Sequence, residues 1–155
     1  MYEHIADLEV DLHRFVRQVL EREFGNSSDA WWPKGVPLSV RKSCVQAREE
    51  DAEPLADPFA YTMFINLAEI VEKNWALFGG RIPPAWAKNR KTLLADLKRL
   101  NTIRNAVMHP VKDKSWDESD FTFVKSVLEQ VATLTGYSLR GTKALRQSAR
   151  FKHRS

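Results

Sequence analysis

The chain has 155 residues, of which 43% are hydrophobic and 28% charged, and its formal net charge is +4. These values are typical of one folded domain with its own core and exclude a low-complexity or mostly disordered chain. No apolar run approaches the roughly 20 residues that span a bilayer, and the acidic first ten residues do not resemble a secretory signal. Cys44 is the single cysteine, so no internal disulfide can form, which fits a reducing compartment. We expect a cytoplasmic protein, or a nuclear one if the source is eukaryotic, without a membrane partner.

The positive charge is concentrated at one end of the chain. Residues 137–155 contain six of the 24 Lys and Arg and no acid, which leaves 18 basic against 20 acidic residues in 1–136. We therefore divide the chain into a domain, residues 1–136, and a basic C-terminal tail, residues 137–155. Such a tail can bind a polyanion by releasing counterions, or it can be only a solvated end.

The first third of the chain predicts two helices joined by a loop. Apolar residues recur at 3.6-residue spacing from Tyr2 to Phe24, and a shorter pattern of this kind runs from Leu38 to Glu50. The segment 27–37 contains two prolines, which argue against a regular helix there. Its neighbouring Trp31 and Trp32 predict a loop packed on the body, with RNA base stacking as the alternative.

The remainder of the domain predicts three further helices with amphipathic patterns that end at glycine or before proline. They are expected over residues 57–78, 86–108 and 119–135. No segment alternates with the two-residue period of a strand. The sequence therefore predicts an all-α fold, an up-and-down helical bundle of four to five helices.

Most types of catalytic site lack a sequence pattern in this chain. The histidines are widely spaced, there is no cysteine pair, and no glycine-rich phosphate loop or glycine-flanked serine occurs. Cys44 lies in an amphipathic pattern that favours a core residue. We expect neither a metal site nor a cofactor.

One stretch at the end of the longest predicted helix combines residues suited to RNA cleavage. Asn101, Asn105 and His109 follow at four-residue intervals and share a face, with Arg104 at its edge and Pro110 after it. A histidine can move protons near neutral pH, and an arginine can stabilise a phosphorane. The structural alternative is a histidine favoured by the helix dipole and an arginine paired with an acid.

The stretch from Arg104 through Asn105 to His109 resembles the signature of the HEPN superfamily, in which Arg is followed by four to six residues and His. The flanking helices also resemble that family. The segment from Phe24 through Trp31-Trp32 to Arg48 looks like the branch found in a eukaryotic nuclear RNA endonuclease and prokaryotic relatives. The resemblance covers about residues 1–136.

This resemblance implies a helical bundle that forms a homodimer with the motif at the interface. It implies a metal-independent endoribonuclease of host defence, toxin–antitoxin pairs or RNA processing, controlled by an antitoxin or a larger partner. By position, Arg104 and His109 are the expected catalytic residues and Asn105 the polar assistant.

Asn101, Lys98 and Arg99 are the expected RNA-binding residues, and nearby basic residues form either a phosphate-binding patch or a solvated helix face. That patch comprises Arg81, Lys88, Arg90, Lys91, Lys98 and Arg99. The alternative function is a non-catalytic dimerisation or RNA- or nucleotide-binding module of a larger system. The slightly acidic body favours this alternative, since it is not ideal for a nucleic-acid groove.

Overall fold

Helices account for all the regular secondary structure in the part of the chain that the computed structural model describes, residues 1–82, 89–109 and 115–134. They are α1 (Tyr2–Phe24), α2 (Ser28–Gly35), α3 (Leu38–Glu50), the 3₁₀ helix η1 (Pro58–Tyr61), α4 (Phe64–Lys73), α5 (Trp75–Phe78), α6 (Arg90–Met108) and α7 (Glu118–Leu134). The prediction of an all-α fold is confirmed. The basic tail, 137–155, and Lys88 of the basic patch lie outside the described residues.

Helices α3, α4 and α6 alternate in direction. Ser39, at the start of α3, donates a hydrogen bond to Glu69 near the end of α4 (3.2 Å). Arg90, at the start of α6, pairs with Glu72 near the end of α4 (2.7 Å). Since each contact joins the start of one helix to the end of another, α4 runs antiparallel to both neighbours.

Helices α1 and α7 complete the alternation. The rings of His4 and Phe121 lie 5.2 Å apart, so the two helices begin side by side. His13, in the middle of α1, contacts Thr62 just before α4, and Leu20 further along packs against Gly35, whose carbonyl binds the end of α4. The five longer helices α1, α3, α4, α6 and α7 therefore run up and down in sequence.

The core lies along the apolar stripe of α1, where the predicted positions are buried. The buried members are Ile5, Leu8, Leu12, Phe15, Val16, Val19 and Leu20. The helix ends at Gly25, whose φ of +104° is a conformation that side chains other than glycine rarely adopt. Burial of this stripe by α4, α6 and α7 is what assembles the bundle.

The prediction that 27–37 contains no helix is wrong. The Ser27 side chain caps α2 by accepting from the Asp29 N–H (3.3 Å), and Val36 N–H closes the helix on the Trp32 carbonyl (3.1 Å). Pro33 lies inside this eight-residue helix, and its missing N–H costs the helix one backbone hydrogen bond. Trp31 is buried edge-on against Phe59, so the predicted packing is confirmed and Trp31 is not exposed for base stacking.

The predicted continuous helix over 57–78 is also wrong, because two side chains interrupt it. Asp57 caps the start as expected, but Thr62 turns its hydroxyl back to the Phe59 carbonyl (2.8 Å) and the chain becomes extended. Further on, the buried Asn74 amide donates to the carbonyls of Ile70 and Gly35, both at 2.8 Å. These bonds separate η1, α4 and α5. No helix in the described residues is long and apolar enough to cross a membrane.

Candidate functional site at the end of α6

Helix α6 presents one buried and one exposed face, and this division positions the predicted site. Its N-terminus is capped by Asn89, whose side chain accepts from the Thr92 N–H (2.9 Å). The buried face packs mainly on α4 and is formed by Leu93, Leu97, Leu100 and Ile103. Lys98, Arg99 and Asn105 consequently lie on the exposed side.

Arg104 is directed from α6 towards α1, where it forms an ion pair with Glu9. The Nε–H group donates to Glu9 Oε1, and the two side chains are only 20% and 23% exposed. Apart from this bond, no hydrogen bond joins the guanidinium to any residue in the described part of the chain. The arginine is therefore held through Nε–H, and its other N–H donors have no hydrogen-bond partner among the described residues.

Asn105 and His109 lie at the surface of the last turn. His109 is the C-cap residue, with its backbone N–H bonded to the Asn105 carbonyl (2.9 Å) and φ and ψ of −129° and 68°. His109 itself is exposed.

The structure does not bring Arg104 and His109 together within one chain. Five residues of ideal helix place their side chains about 140° apart around the axis, and no hydrogen bond between them is found in the described residues. The predicted common face of Asn101, Asn105 and His109 is also not straight, because each of these residues is rotated by about 40° around the helix axis from the one before it. Asn101 is half-buried, and its Oδ1 is buried with no hydrogen-bond partner among the described residues.

The predicted RNA-binding residues Lys98 and Arg99 are both exposed, but Arg99 is already partnered. It pairs with Asp120 on α7 (3.2 Å) and stacks over the Phe123 ring at 4.1 Å. Arg90 of the predicted basic patch is likewise paired with Glu72. The positive charge along α6 is thus partly neutralised by neighbouring helices.

Sequence reasoning missed Glu9, which holds Arg104. It also missed an open pocket of about 300 Å³ on the side of α6 away from Arg104. The pocket lies between α6 and the start of α7 and contains an exposed tryptophan, Trp116. A large aromatic residue in an otherwise polar turn is the sequence signal that points to this pocket.

Two further titratable groups lie within α1 and α3, the half-buried His13 and the buried Cys44. Burial lowers the pKa of His13, and the hydrogen bond to the Thr62 carbonyl (2.9 Å) and the charges of Glu9 and Asp57 offset only part of this effect. Burial, with a smaller contribution from Asp57, raises the pKa of Cys44 to about 11. Cys44 is therefore an inert core thiol, as the sequence predicts.

No group of three or more His, Cys, Asp or Glu within residues 1–82, 89–109 and 115–134 is arranged to hold a metal ion. In comparisons with known proteins, no family model, no curated protein and no solved structure matches this chain. The function must therefore be inferred from the residues of the site.

Proposed function

We propose that this protein is an endoribonuclease that cleaves RNA by metal-independent transesterification at the C-terminal end of α6. The observation that carries the proposal is the Glu9–Arg104 ion pair, which fixes a partly buried guanidinium on the same helix end that exposes Asn105 and His109. The spacing from Arg104 to His109, which resembles the HEPN signature, also supports this function.

The chemistry uses the 2′-hydroxyl of RNA as the nucleophile. The His109 imidazole accepts the hydroxyl proton, the 2′-oxygen attacks phosphorus, and the Arg104 N–H groups stabilise the charge of the phosphorane. The 5′-oxygen leaves with a proton, which yields a 2′,3′-cyclic phosphate and a 5′-hydroxyl end. Asn105 orients the phosphate through its amide donors.

A homodimer completes this arrangement. Because Arg104 and His109 diverge by about 140° on one helix, a single chain presents them to different sides. Two α6 ends that meet across a two-fold axis place Arg104 of one protomer near His109 of the other. The second histidine then supplies the proton that the leaving oxygen takes up.

The experiment is to incubate the purified chain with single-stranded RNA in EDTA and to identify the product ends by mass spectrometry. We expect cyclic phosphate ends from the wild type and none from Arg104→Ala or His109→Ala. Arg90→Ala is the matched control, since it removes another arginine of α6 that is paired with a glutamate on a neighbouring helix. Absence of cleavage by the wild type, or cleavage that persists in both site variants, contradicts the proposal.

A second candidate function is an RNA- or nucleotide-binding dimerisation module of a larger system, in which the same residues hold a phosphate without cutting. The observation in its favour is that Arg104 is turned towards Glu9 rather than His109. RNA binding by a stable dimer that releases no products would select this function.

A further inference from the structure

The pocket between α6 and the start of α7 has the dimensions and lining of a ligand site. Its volume of about 300 Å³ is at the lower end of the range for small-molecule sites. Ile103 and Ala106 provide an apolar floor, Thr102 and Asp120 provide polar groups, and Trp116 forms a wall. Thr102 and Ala106 are each two residues from Arg104 and so about 160° from it around α6, which places the pocket on the other side of the helix; Thr102 and His109, seven residues apart, share a side.

Trp116 is both exposed and held from behind. Its side chain is 41% exposed, while its ring lies 6.5 Å from Phe121, which in turn contacts His4 at 5.2 Å. The Asp117 and Asp120 side chains accept from each other's backbone N–H groups (3.2 and 2.9 Å) and fix the turn that carries it. An exposed indole on a fixed support is suited to stacking against a flat ring.

The charge of the pocket favours a neutral ligand group over a phosphate. Arg99 is the cation on the wall, and its charge is compensated by Asp120 at 3.2 Å. One face of its guanidinium already covers Phe123 at 4.1 Å. The pair still offers N–H donors and carboxylate oxygens at the edge of the pocket, which is the mixture that the hydrogen-bonding edge of a nucleobase requires.

We propose that this pocket binds one unpaired base of an RNA strand, with the base stacked on Trp116 and its edge read by Arg99 and Asp120. The assignment rests on the proposed function in taking RNA as the ligand. The base is held beside α6 while the phosphate next to it reaches the last turn. Duplex RNA is excluded from this mode because its bases are stacked within the helix.

The test measures binding rather than cleavage, in EDTA and with His109→Ala as the parent chain. The probe is a short fluorescent single-stranded RNA, compared with the same strand annealed to its complement. We expect Trp116→Ala to weaken single-strand binding by about 5- to 150-fold, the effect of losing one base stack, and Trp116→Phe to retain most of the affinity. Leu55→Ala is the control, since Leu55 is similarly apolar and 54% exposed but lies outside the pocket.

A second measurement changes the RNA and keeps Trp116 in place. Abasic substitution at successive positions of the RNA is expected to weaken binding to the parent chain at one position and to have no effect there in Trp116→Ala. A change of less than twofold in Trp116→Ala, or equal losses for single strand and duplex, overturns the proposal. A change in dimerisation with RNA binding unaltered also overturns it, because the pocket is then a contact between protein chains.

The outcomes separate this proposal from the nuclease. If RNA binds through Trp116 and the wild type cuts nothing, the base pocket stands and the nuclease proposal fails. If the wild type cuts RNA and Trp116→Ala binds and cuts as the wild type does, the nuclease stands and the base pocket fails.

Discussion

Glu9 acts on Arg104 through one hydrogen bond, and its contribution can be measured separately from that of the arginine. Glu9→Gln keeps an oxygen acceptor for Nε–H but removes the charge that holds the guanidinium. If Glu9 positions the arginine, this variant lowers kcat of RNA cleavage by up to about 100-fold with KM little changed. Glu3→Gln, an exposed acid near the start of α1, is the control. A rise in KM with kcat unchanged would assign Glu9 to substrate binding instead.

His13 makes stability depend on pH. Its pKa is lowered in the folded protein by burial, whereas in the unfolded chain it has the ordinary value of about 6.5. Between these two pKa values the unfolded chain binds more protons than the folded chain, so the free energy of unfolding falls as the pH drops below about 6.5. Above about pH 6.5 His13 is neutral in both states, and this loss of stability is absent.

Urea denaturation across about pH 7.5 to 5.5 measures this slope. His13→Gln keeps an N–H donor for the Thr62 carbonyl without titrating, so we expect a flatter pH dependence. We expect the corresponding change in the first turn of α1, His4→Gln, to retain most of the slope of the free energy of unfolding against pH. An unchanged slope in His13→Gln would show that other groups cause it.

The residues of the site were only partly predictable from the sequence. The Arg104–His109 spacing could be found because it lies within one helix. The partner of Arg104 could not, since Glu9 lies 95 residues away and only the packing of α6 against α1 brings the two together. Arg99 was expected to bind RNA directly, but its pairing with Asp120 depends in the same way on how α7 docks.

At the scale of the elements, α2 crosses α1 at a point where the backbone approaches closely. A Cβ added at Gly35 would lie 2.8 Å from a methyl group of the fully buried Leu20 and 3.2 Å from the Phe24 ring. Gly35→Ala is therefore expected to lower the free energy of unfolding by about 1–3 kcal/mol through overpacking.

Gly80→Ala is the matched control, because within the described part of the chain a Cβ at that position would have no non-neighbouring atom within 4 Å. We expect this change to alter the free energy of unfolding by less than about 0.5 kcal/mol. Equal effects of the two substitutions in urea denaturation would show that α2 does not pack on α1 as described.

The helices that were predicted correctly are those whose boundaries are local properties of the sequence. Helices α1 and α3 follow uninterrupted patterns, and the structure places both ends of each where the sequence does. The helix boundaries that were predicted wrongly depend on contacts with distant residues or on a helix that is only just long enough to form. Asn74 breaks the α4–α5 segment by bonding to Gly35 on another element, and α2 tolerates Pro33 because the helix is about two turns long.

At the scale of the whole molecule, the charge distribution predicts how RNA affinity responds to salt. The segment 137–155 holds six Lys and Arg without an acid, while 1–136 is slightly acidic. If this segment binds the RNA backbone, replacing its six basic residues with Gln makes the slope of log K against log salt shallower by up to about 4.

Anisotropy titrations of single-stranded RNA at several salt concentrations measure that slope. A variant in which Lys91, Lys98 and Arg81 on the folded body are replaced with Gln is the comparison, and it shows how much of the slope belongs to the body. An unchanged slope in the first variant would assign the backbone contacts to the body alone.

The Glu9–Arg104 bond also has a consequence for the timing of folding during synthesis. The two residues are separated by 95 positions, so at 5–20 residues per second the ribosome completes Arg104 roughly 5–20 s after Glu9. During this interval α4 is made, but α7, which also covers the apolar stripe of α1, is not. The Glu9–Arg104 ion pair forms only when the helical domain is almost complete. A nascent chain released before α6 is made cannot form this ion pair.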